Sequence, residues 1–586
     1  MFGKILNIYE DIVELENTSG EAETNLLGFH VVFPVSERKI IGEIIYVSNT
    51  TIKVNLIGEI INGKFSDGLI KKPSLKGSCR LIYKSEVEAL LGPQDYSMNN
   101  ALFIGKSLIY DNFNVSANIN DFMSGHFAIL GNTGSGKSCG TARIIQNIFY
   151  YNDTLMPTNA HIAVFDAYGE YNSAFSKLER LPNIHYRNYT AKIERISGDV
   201  IKIPAYFLDV DDIALLLNVT DSEQLQIIQK SIDFVRLFKN PDAEVENHKN
   251  KIIATAILDV LTSSKDTNQM RDQIIAVLSK FNTPSLNLDT PIVQPGYIRS
   301  FRQCLNTDAQ GKMNAIQLVV ELLEKFTHQD LKPIRNNTKV IYNLNDLYDA
   351  FEFALISEGV LQSDRVFDRN NILKVRLGTL INNKDAEYFD YPEDISKLQY
   401  VKNLFSTING EPCQVINLNF GALDDRFAKT LTKILCKLFF TVAVELDKKA
   451  SFPIHIILEE AHRYVQNDSD TKILGYNIFD RITKEGRKYG VLLGLITQRP
   501  SELSMTAISQ CTNFIVFRMY YPEDVNLIKN ITSHLSPEKI DKLKTLKPGT
   551  AFCFGTAFHL PTITILQLPD PMPISNSVDI TNAWYK

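Results

Sequence analysis

Eight residues, Gly131-Asn-Thr-Gly-Ser-Gly136-Lys137-Ser138, constrain this chain more than any other stretch. They satisfy the spacing G-x-x-x-x-G-K-[ST], which carries meaning only when a strand runs into it and a helix leaves it. His126 to Leu130 is an apolar run of strand length, and Ile144, Ile145, Ile148 and Phe149 recur behind the loop at helical spacing. Both conditions are met, so a chance glycine-rich turn is the poorer reading. Glycines let the backbone curl until successive N–H groups face a phosphate. The positive end of the helix that starts there adds to the attraction. In such a loop Lys137 reaches the β- and γ-phosphates of a nucleotide, and the Ser138 hydroxyl ligates Mg²⁺. The expected fold is α/β.

At 586 residues the chain is too long for one core and suggests about three domains. No apolar run approaches the ~18–20 residues of a membrane span, and MFGKILNIYEDIVELE interrupts with acids the apolar core that a signal peptide needs. The seven cysteines (79, 139, 304, 413, 436, 511 and 553) are scattered singly, without a C-x-x-C pair. They read as reduced thiols, so a cytoplasmic protein without a membrane partner is expected. A net charge of −6 excludes a surface coated in cations. It leaves room for nucleic acid if Lys and Arg line one channel.

Residues 1–95 read as all-β. HVVFPV (30–35), KIIGEIIYVS (39–48), TIKVNLIGEII (51–61) and CRLIYKS (79–85) are short β-rich runs separated by turn formers, a pattern that predicts a small barrel for assembly or partner docking. Residues 96–125 read as a connector into the loop's strand. A first stretch of α/β core, 96–207, then includes HIAVFDAYGEY (161–171), a buried strand ending in Asp166. Helical spacing dominates 208–410, in SEQLQIIQKSIDFVRLF (222–238), KIIATAILDVLTS (251–263), AIQLVVELLEKF (315–326) and NDLYDAFEFALISEGVL (345–361). This is expected to be a helical insertion after the core's second strand. The core resumes over 411–570 with QVINLNFG (414–421), a helix from about Asp424 to Leu446, the strand of 453–458, a helix at about 473–488 and the strand VLLGLIT (491–497). FIVFRM (514–519) and AFCFG (551–555) extend the sheet, and 571–586 is a polar tail with the single Trp584. Strands alternating with helices predict a mostly parallel sheet.

A phosphate loop binds a nucleotide; hydrolysis needs a group to polarise water and positive charge on the transferring oxygens. Glu459-Glu460 ends a buried strand, where the first acid can hold Mg²⁺ and the second can act on water. Adjacent carboxylates there repel unless a cation lies beside them. Gln498 ends the next strand and can sense a γ-phosphate. Arg487 is the candidate for transition-state charge, and if it acts across a subunit boundary the protein is an oligomer. Asp166, Glu170 and Arg481 are weaker candidates.

The loop GNTGSGKS, the strand end DAYGEY, the box ILEEAHR, the turn EGRKYG and the segment TQRPSELSMTAISQCTNFIVFRM resemble the HerA branch of the HerA–FtsK superfamily of DNA-pumping ATPases. The motifs cover about 126–171 and 414–556; the N-terminal barrel fits by order alone. The resemblance implies a RecA-like P-loop core that binds ATP and Mg²⁺ through Gly131, Asn132, Thr133, Gly134, Ser135, Gly136, Lys137, Ser138 and Cys139. It implies Lys137 and Glu460 as catalytic, Gln498 as sensor, Arg487 as an arginine finger acting in trans, and Ser138 and Glu459 at the metal. It further implies a homo-hexamer threading duplex DNA through a central channel. The implied partner is a NurA-like nuclease, or another effector such as a sirtuin-type NADase in anti-phage defence. Two departures stand out: Glu459 occupies a position where many relatives have Asp, and Ala167-Tyr168 one where Pro-His is frequent. Two other functions use the same loop: an ATP-binding scaffold that organises an effector, and a nucleotide or small-molecule kinase, which the Glu-Glu pair and the length disfavour.

Overall fold

The computed structural model describes residues 2–18, 26–69, 71–94, 101–111, 113–150, 156–192, 199–263, 266–308, 311–313, 315–329, 331, 339–359, 364–468, 470–532, 537–574 and 580–584. The start of the expected connector, the end of the helix read over 345–361 and much of the expected tail fall outside them.

The N-terminal strands are Phe2–Tyr9 (β1), Ile12–Asn17 (β2), His30–Val35 (β3), Arg38–Val47 (β4), Thr51–Ile61 (β5), Lys64–Asp67 (β6) and Arg80–Leu81 (β7). They form one antiparallel sheet in the order β1-β2-β5-β4-β3-β7, with β6 on β5. Alternate residues of β5 face Val13, Leu15, Val31 and Phe33 in a small apolar core, as period-2 patterning requires. A closed barrel would need β1 to pair with β7, and no such pairing occurs among the described residues. The run read as a strand over 79–85 is extended only at Arg80–Leu81. A helix, Lys84–Leu91, begins there because Glu86 accepts the Tyr83 N–H in a capping box.

The remaining strands are Ala101–Ser107 (β8), Asn114–Asn118 (β9), His126–Leu130 (β10), Ile162–Asp166 (β11), Tyr186–Thr190 (β12), Asp199–Val200 (β13), Pro291–Gln294 (β14), Tyr297–Ser300 (β15), Val415–Asn419 (β16), Ile454–Leu458 (β17), Val491–Thr497 (β18), Cys511–Phe517 (β19), Thr550–Gly555 (β20) and Thr562–Leu566 (β21). Twelve of them make one sheet in the order β13-β12-β16-β11-β17-β18-β10-β19-β20-β21-β8-β9. Pairing is parallel from β13 to β19 and antiparallel from β19 to β9. The connector reading is thus corrected: β8 and β9 are edge strands of this sheet. Their short alternating pattern, interrupted by Ser107-Leu-Ile-Tyr-Asp-Asn, carries little periodic signal. The insertion also starts later in the fold than expected, because β12 and β13 precede it.

The parallel centre is buried on both faces, so its strands are continuous apolar runs. In β10, Ala128 and Leu130 face one core with the insertion, while Phe127 and Ile129 face the other with the helix Lys137–Tyr150. The insertion is mostly helical, with the hairpin β14–β15 at its side. Phe234, Phe238, Phe281 and Phe353 pack its centre, with neighbouring ring centroids 4.6–6.3 Å apart. The helices Thr267–Lys280, Asp364–Asn382 and Lys397–Leu404 were not legible as periodic segments. The helix expected at 473–488 begins at Ile478, capped by Asn477, and ends at Gly490 in the left-handed region. Among the described residues no helix is long and apolar enough to cross a membrane.

One ion-pair cluster ties the insertion to the core. Lys437, on the helix Asp425–Glu445, lies 2.5 Å from Asp209, 3.1 Å from Asp211 and 3.3 Å from Asp212. Lys437→Met leaves these carboxylates facing one another without a cation. We expect a loss of about 2–3 kcal/mol in urea unfolding, discounted for partial exposure, and partial recovery when Asp212→Asn is added.

Candidate functional site

Parallel pairing sets the site's location. β10, β11, β16, β17 and β18 run the same way, so the residues after their C-terminal ends meet at one edge, where open α/β sheets bind ligands. The loop after β10 is held from three sides: Gly131 N–H donates to the Thr497 carbonyl (3.2 Å), Asn132 N–H to that of Arg518 (3.0 Å), and Gly549 N–H to that of Ser135 (2.9 Å). Gly136 needs to be glycine, because φ is +100° and a side chain would meet the Gly549 nitrogen at 2.8 Å. Gly134 also sits at positive φ, +70°.

Lys137 is buried, and its Nζ lies 3.1 Å from Glu460 Oε1. Glu460 follows β17 in the left-handed region (φ 48°, ψ 47°), a costly conformation for a residue with a side chain. His462 Nδ1 lies 2.9 Å from Thr497 Oγ1 and 3.3 Å from Glu460 Oε2. Thr133 donates its hydroxyl proton to Gln498 Oε1. Ser138 and Cys139 are half-buried in the first turn of the helix. A cleft of about 630 Å³ opens before the loop, lined by Asn132, Thr133, Gln498, Tyr520, Tyr521 and Asp524.

Asp166 is fully buried and saturated: it accepts the N–H groups of Gly169, Glu170 and Tyr171 and the Asn417 amide. Its carboxylate shapes the turn that carries Glu170. Burial, and then the Asp166 charge, push the Glu170 pKa up, with Lys137 and Ser138 partly offsetting them. Glu459 is pushed well above the usual carboxylate range, first by burial and then by Asp166 and Glu170. Glu459 Oε2 and Glu460 Oε2 are buried without a hydrogen-bond partner among the described residues. Two such carboxylate oxygens fit a divalent cation in chemistry, since Mg²⁺ takes one or two carboxylates and completes its shell with phosphate and water.

Arg487 and Arg481 stand apart from this group. Arg487 is exposed in the last turn of the helix Ile478–Tyr489, just before β18, and makes no ion pair among the described residues. The length of β18 separates it from Gln498 by roughly 20 Å. Arg481 pairs with Glu485 at 3.7 Å and lies over Phe440 and Tyr476. Sequence reasoning gave no role to Asn417, His462 and Gly549. Asn417 alone left a signal, as a polar residue inside the buried run Val415–Asn419.

A phosphate loop with a lysine–glutamate pair, on the central strands of this sheet, defines a P-loop ATPase. Residues 102–346 match the family model described as Helicase HerA, central domain. The DNA double-strand break repair helicase HerA of Pyrococcus furiosus is 24% identical over 469 residues, 79% of this chain and 69% of that protein. Its counterpart in Sulfolobus acidocaldarius is 24% identical over 483 residues, 82% of this chain and 72% of that protein. Among solved structures, VirB4 of Thermoanaerobacter pseudethanolicus is similar over 80% of this chain and 96% of that one, at 12% identity and a TM-score of 0.39. The chain is thus similar to HerA helicases, through the central-domain model over residues 102–346 and at 24% identity over 79–82% of its length.

The sign of the Glu459 shift yields a test. A carboxyl whose pKa is raised on folding favours the fold while protonated, and that contribution is lost as pH rises through the raised value. Without metal or nucleotide, Glu459→Gln should therefore melt higher than wild type near neutral pH, and the gap should widen as pH increases from 5 to 8. A gap that narrows over that range contradicts the charge arrangement described.

Proposed function

We propose that this protein is an ATP- and Mg²⁺-dependent, ring-forming duplex-DNA translocase, a homo-hexamer acting with a nuclease or another effector. The observation that carries the reading is the position of Arg487. It is an exposed cation, without an ion pair among the described residues, at the edge of the sheet opposite its own phosphate loop, so it meets a bound nucleotide only in a neighbouring copy. A ring meets that requirement at every interface. The HerA relatives are named for DNA double-strand break repair, which supports DNA as the track and end processing as the setting; anti-phage defence is the other setting we propose. The protein would act in the cytoplasm, with residues 1–95 docking the partner.

Within each site, Lys137 leaves Glu460 to hold the phosphates, and the freed Glu460 carboxylate orients and deprotonates water. Gln498 and Thr133 contact the γ-phosphate from the cleft side. Ser138 and Glu459, with Glu170 behind them, would hold Mg²⁺, which supplies charge neutralisation between the phosphates. Asp166 positions Glu170 and touches no substrate.

The test is the steady-state ATPase rate with and without duplex DNA at one stated salt concentration. Glu460→Gln should lower turnover roughly 10²–10⁴-fold while nucleotide binding persists. Arg487→Ala should lower it at least about 100-fold, and mixing the two variants should restore part of it, because some interfaces would then join an intact arginine to an intact glutamate. Turnover indifferent to DNA points instead to an ATP-binding scaffold. Normal hydrolysis by Glu460→Gln refutes the assigned site.

A further inference from the structure

A second cavity, of about 410 Å³, lies between the N-terminal sheet and the antiparallel arm of the large sheet. That volume is within the usual range for small-molecule sites. Its walls are largely apolar and include Leu91, Leu546, Leu560 and Ile563, and three of its lining residues, Leu27, Leu108 and Ile565, are 43–49% exposed. The nucleotide site does not use this space, although lining residue Thr550 adjoins Gly549, whose N–H holds the Ser135 carbonyl of the phosphate loop.

The cavity also has a polar part. His30 on β3 faces Tyr110: the His30 backbone N–H donates to Tyr110 Oη at 3.0 Å, and the same oxygen lies 2.7 Å from His30 Nδ1. With the Tyr110 hydroxyl proton given to Nδ1, the neutral ring carries its own proton on Nε2. Burial, and then the nearby Lys539 charge, hold the ring neutral, with its pKa pushed down to about 3. His30 is 3% exposed, and Nε2 has no hydrogen-bond partner among the described residues. A buried donor without an acceptor is costly. Lys539 lies 2.5 Å from Glu43 on the neighbouring strand β4. Lys542 and Lys547 also line the cavity, are exposed, and form no ion pair among the described residues. The lining thus holds three lysines against one glutamate, with an orphaned imidazole donor among apolar walls.

We propose that this cavity binds a small apolar carboxylate, an acyl or aromatic acid whose anionic head is held by His30 Nε2 and Lys539 and whose body covers Leu27, Leu108 and Ile565. A carboxylate accepts from both donors at once, and charge-assisted bonds of this kind are the stronger ones. Lys542 and Lys547 add a positive field at the mouth. A neutral amphiphile lacks the head, and a cationic one meets three ammonium groups.

The experiment is calorimetric titration of the full chain with octanoate, 1-octanol and octylamine, without nucleotide. Octanoate should bind saturably at one per chain, with 1-octanol at least roughly tenfold weaker and octylamine undetectable. Lys539→Gln, which can still hydrogen-bond Glu43, should weaken octanoate at least roughly tenfold. Leu108→Glu, a change at an exposed position, should abolish binding while the melting temperature stays that of wild type. Non-saturable uptake, equal affinity for 1-octanol, or octanoate binding unchanged in Leu108→Glu overturns the proposal.

Discussion

One ammonium group, Lys137, stands among the carboxyl groups of Glu460, Glu459 and Glu170, with Asp166 directly behind. In water such a group would cost little. Here Lys137, Asp166, Glu459 and Glu460 are all buried, so attraction and repulsion act at low dielectric. One cation cannot balance this many anions, and burial first, then the surplus charge, push Glu459 and Glu170 towards their neutral forms. A buried ion pair adds little net stability by itself. The cluster is therefore an expense borne by the rest of the fold, and its retention makes sense only for chemistry.

The sheet can carry that load because its centre is so apolar. β10, β11 and β18 are buried at every residue, and both faces are covered, one by the insertion and one by the helix Lys137–Tyr150. Parallel pairing keeps backbone hydrogen bonds regular up to the strand ends and releases all the polar residues at one edge. The strain sits there too. Glu460 holds a left-handed conformation that turns the chain immediately after Leu458, while the backbone of Glu459 is anchored by its N–H to the Phe165 carbonyl at 3.2 Å.

Much of this was legible from local patterns. Gly131–Ser138 declared a turn, and the apolar runs before Glu459 and Gln498 declared buried strands, so the strand ends could be placed on one edge. The same logic failed at β8 and β9. The pairing of β8 with β21 is a contact between residues more than 450 positions apart, and nothing local encodes it. It also failed for the helix Asp364–Asn382, whose apolar face is interrupted by Arg, Asn and Asp and forms by packing on the helix Leu344–Gly359. Asp166 illustrates a third limit. Its residue type and place suit a metal ligand as well as a turn former, and only the three N–H groups pointing at it decide between them.

The Lys137–Glu460 contact has a consequence for how such a site can work. A lysine 3.1 Å from a carboxylate screens it, but one ammonium cannot keep that partner and also follow a γ-phosphate. Under the proposed mechanism, phosphate therefore competes with Glu460 for Lys137, and the winning phosphate frees the base as it arrives. Water would meet an unscreened Glu460 only when a nucleotide is present to be attacked. His462, 3.3 Å from the other Glu460 oxygen and held neutral chiefly by burial, can steady the released carboxylate without replacing the lost charge. The pairing that costs stability in the empty site would in this way suppress its reactivity until substrate binds.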